Sequence, residues 1–363
     1  MTTRRQTLTL LGAALAVPAL SLRARAATGV RIDPVATGLD EPWGLAFLPD
    51  GRFLVTERPG RLTVFPGDGG RGQRVSGVPE VAEVGQGGLL DVMVPRDFAT
   101  SRRIWLSYAE GAGGGASTAM GYGRLTEGAV LEGFTRVHNG PATGGGRHFG
   151  ARIVEGADGT VFLTTGDRGE GERSQDAGRP EGKVLAFAPD GSPRTAAAFG
   201  QGAQPGLWSM GHRNIQGAAL DLQGRLWTVE HGAQGGDELN RPEAGRNYGW
   251  PVITYGRDYD DSRIGEGTAK AGMEQPVHYW DPSIAPSGLL IHSGRMFADW
   301  KGHVLTGSLK FDLISRLDPG QGYAETRFEA PETARVRDVR EGPDGAVWFL
   351  SVGEGAAFRM TPA

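Results

Sequence analysis

Residues 158–167 read D-G-T-V-F-L-T-T-G-D, a glycine turn followed by a short strand of alternating apolar side chains. The same unit recurs at 49–57, 223–230, 301–307 and 343–351, and R-I-W-L-S-Y at 103–108 is a sixth copy without the glycine turn. D-G and related dipeptides between apolar alternations predict tight hairpins. A hairpin cannot bury its apolar face alone, so radial repetition is the simplest way to cover it. The repeat therefore predicts a β-propeller.

The expected fold class is all-β, with six blades because there are six copies of the unit. The alternative is a pair of β-sandwiches. The 60 glycines and 22 prolines suit a turn-rich fold, and long stretches of helical periodicity are almost absent after residue 26. Two inserts, Glu110–Gly123 and Tyr255–Gly272, are predicted to be loops on one face. The first, E-G-A-G-G-G-A-S-T at its start, is predicted to be flexible from its composition.

The first 26 residues have the pattern of a secretory signal. A charged M-T-T-R-R-Q-T-L start is followed by an apolar run from residue 8 to 22 and by A-R-A at 24–26. The arginine pair indicates the twin-arginine route, although Thr7 and Thr9 stand where that motif prefers Phe and Lys. A membrane anchor is the alternative, but the run is shorter than the ~20 residues of a span and contains Gly12 and Pro18. We expect cleavage after Ala26 and a single periplasmic domain over residues 27–363.

The charge balance bears on possible partners. Residues 1–26 hold four arginines and no acid, so their removal would take the formal net charge from −4 to −8. An acidic protein without a basic arm is not expected to bind nucleic acid or an anionic membrane surface. The chain has no cysteine, so its stability outside the cytoplasm would not depend on disulfides.

The most informative polar stretch runs from residue 208 to 251. It contains W-S-M-G-H-R-N-I-Q-G, the strand-like L-D-L-Q-G-R-L-W-T-V-E, and then H-G-A-Q-G-G-D-E-L-N-R-P-E-A-G-R-N-Y-G-W-P. Gly-rich loops that carry polar residues at both ends of a strand are typical of a binding site, because glycine lets backbone groups approach a ligand closely. The alternative is a pair of ordinary turns around one strand.

Seven segments, two of them within this stretch, resemble in the same order the soluble PQQ-dependent sugar dehydrogenases, the group of aldose sugar dehydrogenases and soluble glucose dehydrogenases. The segments are G-L-D-E-P-W-G-L-A-F-L-P-D-G from residue 38, G-Q-G-G-L-L-D from 85, R-H-F-G-A-R from 147, G-H-R-N from 211, E-H-G…D-E-L-N…N-Y-G-W-P over 230–251, G-S-L-K from 307 and R-V-R-D-V from 335. The resemblance covers almost all of the chain after residue 26. It also implies six blades.

PQQ is a planar ortho-quinone with three carboxylates, so its site needs fixed positive charge. Arg213, Lys310, Arg335 and Arg337 can provide that charge, and guanidinium groups suit carboxylates well. Arg335 and Arg337 are two residues apart, so on a strand both would point to one face. The resemblance places all four around PQQ. It adds two amide side chains, those of Asn214 and Gln86. The alternative for each cation is an exposed salt bridge.

His148 in G-G-R-H-F-G-A-R matches the family's catalytic position and is the expected general base for the sugar hydroxyl proton. Asp167, at the end of the T-T-G-D strand, is the expected partner that orients the imidazole and stabilises its protonated form. Arg213 completes the expected catalytic set. In the glucose dehydrogenase branch an acidic residue precedes the base, whereas here Arg147 does.

The chain has no cysteine, no H-E-x-x-H and no EF-hand loop, so zinc and iron are not expected. The resemblance implies calcium, a hard ion that accepts backbone carbonyls. The turn at 231–233 resembles the family's loop in which main-chain carbonyls, here those of Gly232 and Ala233, hold a PQQ-bound calcium. The glucose dehydrogenase branch has Pro at the position of Ala233. Glu238 and Tyr248 match a second, structural calcium in the aldose dehydrogenase branch. The alternative for Glu238 is a solvated acid.

The resemblance thus implies an exported quinoprotein that oxidises aldoses at C1 to lactones and passes electrons from PQQ to an external acceptor. A calcium-dependent, lactonase-like propeller hydrolase is the alternative, and a non-catalytic binding platform is a third class. The hydrolase would need carboxylate and Asn side chains around one calcium and would not use four cations. The preferred sugar, the acceptor and the oligomeric state stay open, with a monomer slightly favoured.

Overall fold

The computed structural model describes residues 29–363. The predicted signal segment and its cleavage site at residues 1–26 lie outside the described residues. Across 29–363, no helix combines the length and the apolar character that a membrane crossing requires.

Twenty-four strands form six antiparallel sheets of four. The first three sheets, in chain order, are β2 (Pro42–Phe47), β3 (Phe53–Glu57), β4 (Arg61–Phe65) and β5 (Gln73–Arg74); β6 (Leu89–Met93), β7 (Arg103–Ala112), β8 (Gly115–Leu125) and β9 (Leu131–Asn139); and β10 (Gly150–Glu155), β11 (Val161–Thr165), β12 (Lys183–Phe187) and β13 (Leu207–Met210). The next two are β14 (Ile215–Leu220), β15 (Leu226–Glu230), β16 (Asp237–Asn240) and β17 (His278–Trp280); and β18 (Pro286–Ile291), β19 (Val304–Ser308), β20 (Leu313–Asp318) and β21 (Ala324–Glu329).

The sixth sheet joins the two ends of the described chain. Its order is β1 (Val30–Thr37), β24 (Ala356–Pro362), β23 (Val347–Ser351) and β22 (Val336–Glu341), and β1 pairs antiparallel with β24 from Val30 opposite Pro362 to Thr37 opposite Ala356. Pairing of the first strand with the last fixes the first sheet next to the sixth and so closes the ring.

The six sheets are the blades of a β-propeller, which confirms the predicted fold class and blade number. The first strands of the blades, β2, β6, β10, β14, β18 and β22, each contact the first strand of the next blade around the ring. Every copy of the sequence repeat falls on the second strand of a different blade: β3, β7, β11, β15, β19 and β23. These second strands are buried along their whole length except at the ends of β7, because neighbouring blades cover both of their faces.

Each inner strand carries a β-bulge near its first residue. The register shifts lie between Pro42 and Gly44, Leu89 and Val92, Gly150 and Ile153, Ile215 and Gly217, Ser287 and Leu290, and Val336 and Asp338. A bulge re-aims the side chain of the extra residue and is common beside active sites. Here the bulges turn Trp43, Leu90, Gln216 and Arg337 toward one shared cleft.

Helices are short in the described chain. One α-helical turn, α1, covers Phe98–Ser101, and 3-10 turns cover Gly171–Gln175, Ala197–Phe199, Ala298–Trp300, Pro319–Gln321 and Pro331–Thr333. The prediction of a flexible loop over Glu110–Gly123 is wrong. These residues extend the β7–β8 hairpin, and Gly113 and Gly114 form its tight turn with φ of 55° and 83°. The second insert, Tyr255–Gly272, contains no strand and lies between β16 and β17, as predicted.

Candidate active site

The cleft lies where the inner strands begin, and its volume is about 150 Å³. Four of the residues predicted to hold a cofactor line it, namely Gln86, Asn214, Arg335 and Arg337. Trp43, Gln216 and His231 also line it, although sequence reasoning did not select them. His231 could have been selected from the E-H-G motif at 230–232. Trp43 and Gln216 face the cleft because of β-bulges, which depend on the register of pairing with the next strand.

His148 lies on the loop before β10, next to this cleft. Its Nδ1 is 2.6 Å from Asp167 Oδ1, and its main-chain N–H donates to Gln86 Oε1 at 2.8 Å. The backbone of His148 is left-handed, with φ of 55°. Non-glycine residues rarely adopt this conformation, and at functional sites the surrounding structure holds them in it. The structure therefore brings the predicted base together with its predicted partner.

The Asp167 carboxylate is almost fully buried and fully hydrogen-bonded. Oδ1 also accepts from the main-chain N–H of Gly169 at 2.7 Å, and Oδ2 accepts from the indole N–H of Trp250 at 2.8 Å. Burial opposes ionisation of Asp167, but the bond with His148 and the remaining donors outweigh it, so the pKa of the carboxyl lies below its ordinary value. Asp167 is thus an anion that holds the Nδ1 proton of the imidazole.

The protonation state of His148 suits a base. Burial lowers the pKa of the imidazole, the hydrogen bond to Asp167 opposes this effect, and the charges of Arg213 and Arg147 add to it. The net pKa lies below the ordinary value of a histidine. With the Nδ1 proton held by Asp167, Nε2 has a free lone pair at neutral pH and can take up a proton.

Arg213 is held at the start of the fourth blade. Its main-chain N–H donates to Glu230 Oε2 at 2.6 Å, its Nη1 donates to the carbonyl oxygen of His231 at 3.3 Å, and its guanidinium carbon lies 5.2 Å from the centre of the Trp250 ring. The Nε atom of Arg213 is buried and has no hydrogen-bond partner among the described residues. Arg213 lies beside two cleft-lining residues, Asn214 and His231, and is not itself part of the lining. A buried donor without a partner is costly, so Nε is available for an acceptor that reaches it.

Below Arg213, three side chains have the order of a hydrolase triad. Ser209 Oγ is 2.9 Å from His212 Nε2, and His212 Nδ1 is 2.9 Å from Glu230 Oε1. Ser209 and His212 are fully buried, and the His212 ring stacks on Tyr248 with 4.8 Å between ring centres. No substrate can reach this serine. Ser209 and His212 instead fix Glu230, which holds the backbone of Arg213.

The cleft carries positive charge from Arg335 and Arg337 that no carboxylate of residues 29–363 neutralises through a direct hydrogen bond to either guanidinium. Burial lowers the pKa of Arg337 to about 9, and Arg152, Arg335 and Arg58 add repulsion. The Nη1 of Arg337 donates to the neutral amide oxygen of Gln216 at 2.9 Å, not to a carboxylate. Arg337 is therefore a buried cation that an anionic ligand would stabilise.

Arg335 reaches the cleft in a different way from the one predicted. The strand begins at Val336, so Arg335 precedes it with a left-handed φ of 51°, and Arg337 lies in the bulge of β22. Simple strand alternation does not explain why both side chains face the cleft. The turn at 335 and the bulge at 337 do.

Lys310 occupies the rim. It follows Leu309, which lines the cleft, and it is exposed, with Nζ 5.1 Å from the centre of the Phe311 ring. Arg335 Nη1 donates to the Leu309 carbonyl oxygen at 3.1 Å, which joins this rim to the cleft. The structure thus places Lys310 beside the predicted set and outside the cleft lining itself.

The two predicted amides have structural partners as well. Asn214 Oδ1 accepts from the main-chain N–H of Gly150 at 3.3 Å and from Gln216 Nε2 at 3.1 Å. Gln86 Oε1 holds the backbone of His148, as described above. The amides therefore fix the loop that carries the base and also line the cleft.

An ion network closes the ring beneath the cleft. Arg152 is fully buried, with Nη1 3.4 Å from Asp91 and 3.2 Å from Asp338, and Arg340 bonds the same two carboxylates. Arg152 also donates to the carbonyl oxygens of Gln216 and Arg337 at 2.7 Å each. Its guanidinium carbon lies 4.0 Å from the centre of the Trp43 ring. Arg152 therefore supports the cleft residues from below.

Gly232 and Ala233, predicted to hold calcium through their carbonyls, form a buried turn after β15. The main-chain N–H of Gly232 donates to Asp237 Oδ1 at 2.8 Å. A Cβ at Gly232 would lie 2.1 Å from the carbonyl oxygen of Gly235, so only glycine fits this turn. The oxygens that crowd Gly232 are those of Gly235 and Gly236, so the crowding explains the glycine and not a ligand set.

Glu238 and Tyr248, predicted to hold a second calcium, have separate surroundings. Glu238 lies on β16 opposite Glu230, and Asn240 Nδ2 donates to both carboxylates, at 2.9 and 3.0 Å. Burial and the charge of Glu230 raise the pKa of Glu238 to about 8. Asn240 Oδ1 is buried and has no partner among the described residues. A cation would satisfy these oxygens.

The Tyr248 hydroxyl does not reach Glu238 through any hydrogen bond in the described chain. It donates to the Arg241 carbonyl oxygen at 2.6 Å and accepts from the Glu243 main-chain N–H at 3.0 Å. Across residues 29–363, no three His, Cys, Asp or Glu side chains cluster as metal ligands do. A calcium at the first predicted position would thus use main-chain oxygens, and one at the second would need main-chain or amide oxygens besides the Glu238 carboxylate.

Comparison with known proteins gives a consistent picture. Residues 39–359 match the family model for glucose/sorbosone dehydrogenases. The chain is 40% identical over 336 residues to the aldose sugar dehydrogenase YliI of Escherichia coli, covering 89% of this chain and 90% of that protein. The apo-form structure of the soluble aldose sugar dehydrogenase from Escherichia coli has a TM-score of 0.85 at 38% identity, covering 92% of this chain and 100% of that one. The PQQ-bound aldose sugar dehydrogenase from Streptomyces coelicolor has a TM-score of 0.77 at 28% identity, with coverage of 92% and 98%.

Proposed function

Since the chain belongs to the glucose/sorbosone dehydrogenase family, we propose that it is a PQQ-dependent dehydrogenase that oxidises aldose sugars at C1 to lactones. The observation that carries the proposal is a cleft lined by Arg335 and Arg337, neither of whose side chains has an acidic hydrogen-bond partner in the described chain, with the predicted base His148 and the unpartnered Nε of Arg213 beside it. A planar tricarboxylate suits such a cleft.

PQQ would be held by the cleft-lining Arg335, Arg337, Gln86 and Asn214, with Arg213 beside it and Lys310 at the rim. When bound, PQQ supplies the two-electron chemistry, because it accepts hydride and later passes electrons to an external acceptor. The protein supplies position and charge. The guanidinium of Arg213, through its Nε–H, would offer fixed positive charge where negative charge develops on the quinone oxygen.

The proton step belongs to His148. Its Nε2 takes the proton of the sugar C1 hydroxyl as the C1–H bond breaks, and Asp167 stabilises the imidazolium through Nδ1. His148 is fixed for this step by Gln86 at its backbone and by Asp167 at its ring. Because the His148 side chain is already held in place, it loses little conformational entropy on reaching the transition state.

Calcium is part of the proposal at two positions. The carbonyls of Gly232 and Ala233 would hold one ion beside PQQ, where it polarises the quinone. A second, structural calcium site would include Glu238 and Tyr248, together with the nearby side-chain oxygens of Glu230 and Asn240. The unpartnered Asn240 Oδ1 supports the second assignment. The first rests on the resemblance of the turn at 231–233.

A calcium-dependent hydrolase is the alternative. It needs converging carboxylates, whereas arginines gather at this cleft, so the geometry favours the dehydrogenase. Export to the periplasm belongs to the proposal too, and it rests on the sequence of residues 1–26.

The test uses the purified protein with PQQ and Ca²⁺. Reduction of bound quinone by glucose, seen in the absorption spectrum and as reduction of an artificial electron acceptor dye, is the expected result. His148→Gln should keep PQQ binding and lose turnover, and a calcium chelator should lower dye reduction. If PQQ does not bind, the dehydrogenase proposal is wrong, and hydrolysis of lactones is the next assay.

A further inference from the structure

Trp250 contacts both halves of the proposed catalytic machinery. Its indole N–H donates to Asp167 Oδ2 at 2.8 Å, while Asp167 Oδ1 lies 2.6 Å from His148 Nδ1. The face of the same ring lies 5.2 Å from the guanidinium carbon of Arg213. No step described above uses Trp250.

The backbone of Trp250 is held by two other loops. Its N–H donates to the Gly211 carbonyl oxygen at 2.9 Å, and its carbonyl oxygen accepts from Gln175 Nε2 at 2.7 Å and from the Ser174 hydroxyl. With both of its backbone polar groups bonded, the residue has little freedom to move. Its indole N–H is therefore a fixed donor aimed at Asp167.

We infer, building on the proposed function, that Trp250 is a positioning residue that tunes the general base through Asp167. The indole N–H shares the negative charge of the carboxylate, so less of that charge acts on the imidazole. Gly169 and His148 both bond Oδ1, which keeps the carboxylate in place even without the indole. Charge sharing, rather than orientation alone, is thus the effect that the N–H adds.

Other charges face the same pair and must stay constant in a test. His148 is faced by Asp167, Arg213, Arg147 and His231, and Asp167 also acts on Arg168. Trp250→Phe changes none of these charges and keeps an aromatic face toward Arg213. It removes the N–H together with part of the indole ring, without changing any charge. The carboxylate charge then acts more fully on His148, and protonated His148 becomes more stable.

The experiment measures the titration of His148 by NMR in the purified full chain with ¹³C-labelled histidine and without added PQQ. His148→Gln assigns the resonance among the seven histidines. We expect Trp250→Phe to raise the His148 pKa by about half a pH unit or more. The matched control is Trp227→Phe, which removes an indole N–H bond of 2.9 Å to Asp221 Oδ2 elsewhere in the fourth blade and should leave His148 unchanged.

An unchanged or lowered His148 pKa in folded Trp250→Phe would overturn the inference. A second measurement covers the case in which that variant does not fold. In the wild-type protein, the indole Hε1 resonance of Trp250 should shift with the midpoint of the His148 titration, because both groups bond one carboxylate. A Trp250 resonance without that inflection also contradicts the inference.

Neither measurement needs PQQ or sugar, so failure of the proposed function can be distinguished from failure of this inference. If turnover is established, the acid limb of kcat/KM should move to higher pH in Trp250→Phe. A purely structural role would lower kcat/KM equally at all pH values and leave the limb in place.

Discussion

The main-chain N–H of Asp167 donates to the carbonyl oxygen of Arg213, with 2.8 Å between the two atoms. Asp167 follows the second strand of the third blade, and Arg213 precedes the inner strand of the fourth. Asp167, which bonds the base, and Arg213, the cation beside the cleft, are therefore joined through the backbone across a blade boundary. Side-chain substitutions at either residue leave this main-chain bond in place, so we expect them to change catalysis more than the stability of the fold.

Asp167→Asn should lower kcat by roughly ten- to a hundredfold with PQQ affinity nearly unchanged. The amide carries no charge to stabilise the imidazolium, and its NH₂ group can face Nδ1 and favour the wrong tautomer. Steady-state kinetics and PQQ titration of the variant check this. Loss of PQQ binding in step with kcat would instead indicate that Asp167 shapes the cofactor site.

The pH profile of kcat/KM should keep its acid limb below the ordinary histidine pKa of about 6.5. Catalysis needs neutral His148, and burial with Arg213 and Arg147 holds its pKa below that value. The activity is thus present at neutral pH and lost as pH falls through the lowered pKa. An acid limb above pH 7 in the wild-type enzyme would show that another group titrates or that the imidazolium is stabilised.

Arg337→Met should raise the Kd for PQQ by about tenfold or more, because it removes a buried, charge-assisted contact to a carboxylate. The melting temperature without PQQ should not fall, because the substitution also removes a buried cation that lacks an acidic partner. Calorimetric titration and thermal melts measure the two effects. Arg327→Gln, at an exposed ion pair with Glu325, is the control and should change neither.

Arg152→Leu should reduce the free energy of unfolding by about 3–5 kcal/mol, since it leaves the carboxylates of Asp91 and Asp338 buried without this cation. Urea denaturation monitored by tryptophan fluorescence gives the value. Arg327→Gln, which breaks the exposed ion pair with Glu325, is again the control and should reduce the free energy of unfolding by less than about 1 kcal/mol. Similar losses in the two variants would mean that Arg340 alone neutralises both acids.

Much of the fold could be predicted because the repeat unit is local. A glycine turn followed by alternating apolar residues specifies a hairpin without reference to the rest of the chain, and all six copies became second strands. Glu110–Gly123 was misread because composition does not distinguish a flexible loop from a long hairpin with a two-glycine turn. The pairing of Ala112 with Gly115 decides between them.

The site was predicted in part. The motifs selected His148, Asp167 and Arg213, and the structure brings these together. Trp43, Gln216 and Arg152 were missed, because their position depends on bulges and on ion pairs between distant strands. The resemblance placed Arg335 and Arg337 correctly in the cleft, but the strand alternation expected to aim both side chains is replaced by the turn at 335 and the bulge of β22.

The blade unit, the number of blades and the residue types of the cleft are encoded locally, because turn chemistry and apolar alternation act over a few residues. Which groups meet depends on the folded chain. Closure of the ring by β1 and β24 brings together the inner strands of all six blades, so residues far apart in sequence share one cleft. Their pKa values and unpartnered donors follow from that burial, which no local pattern encodes.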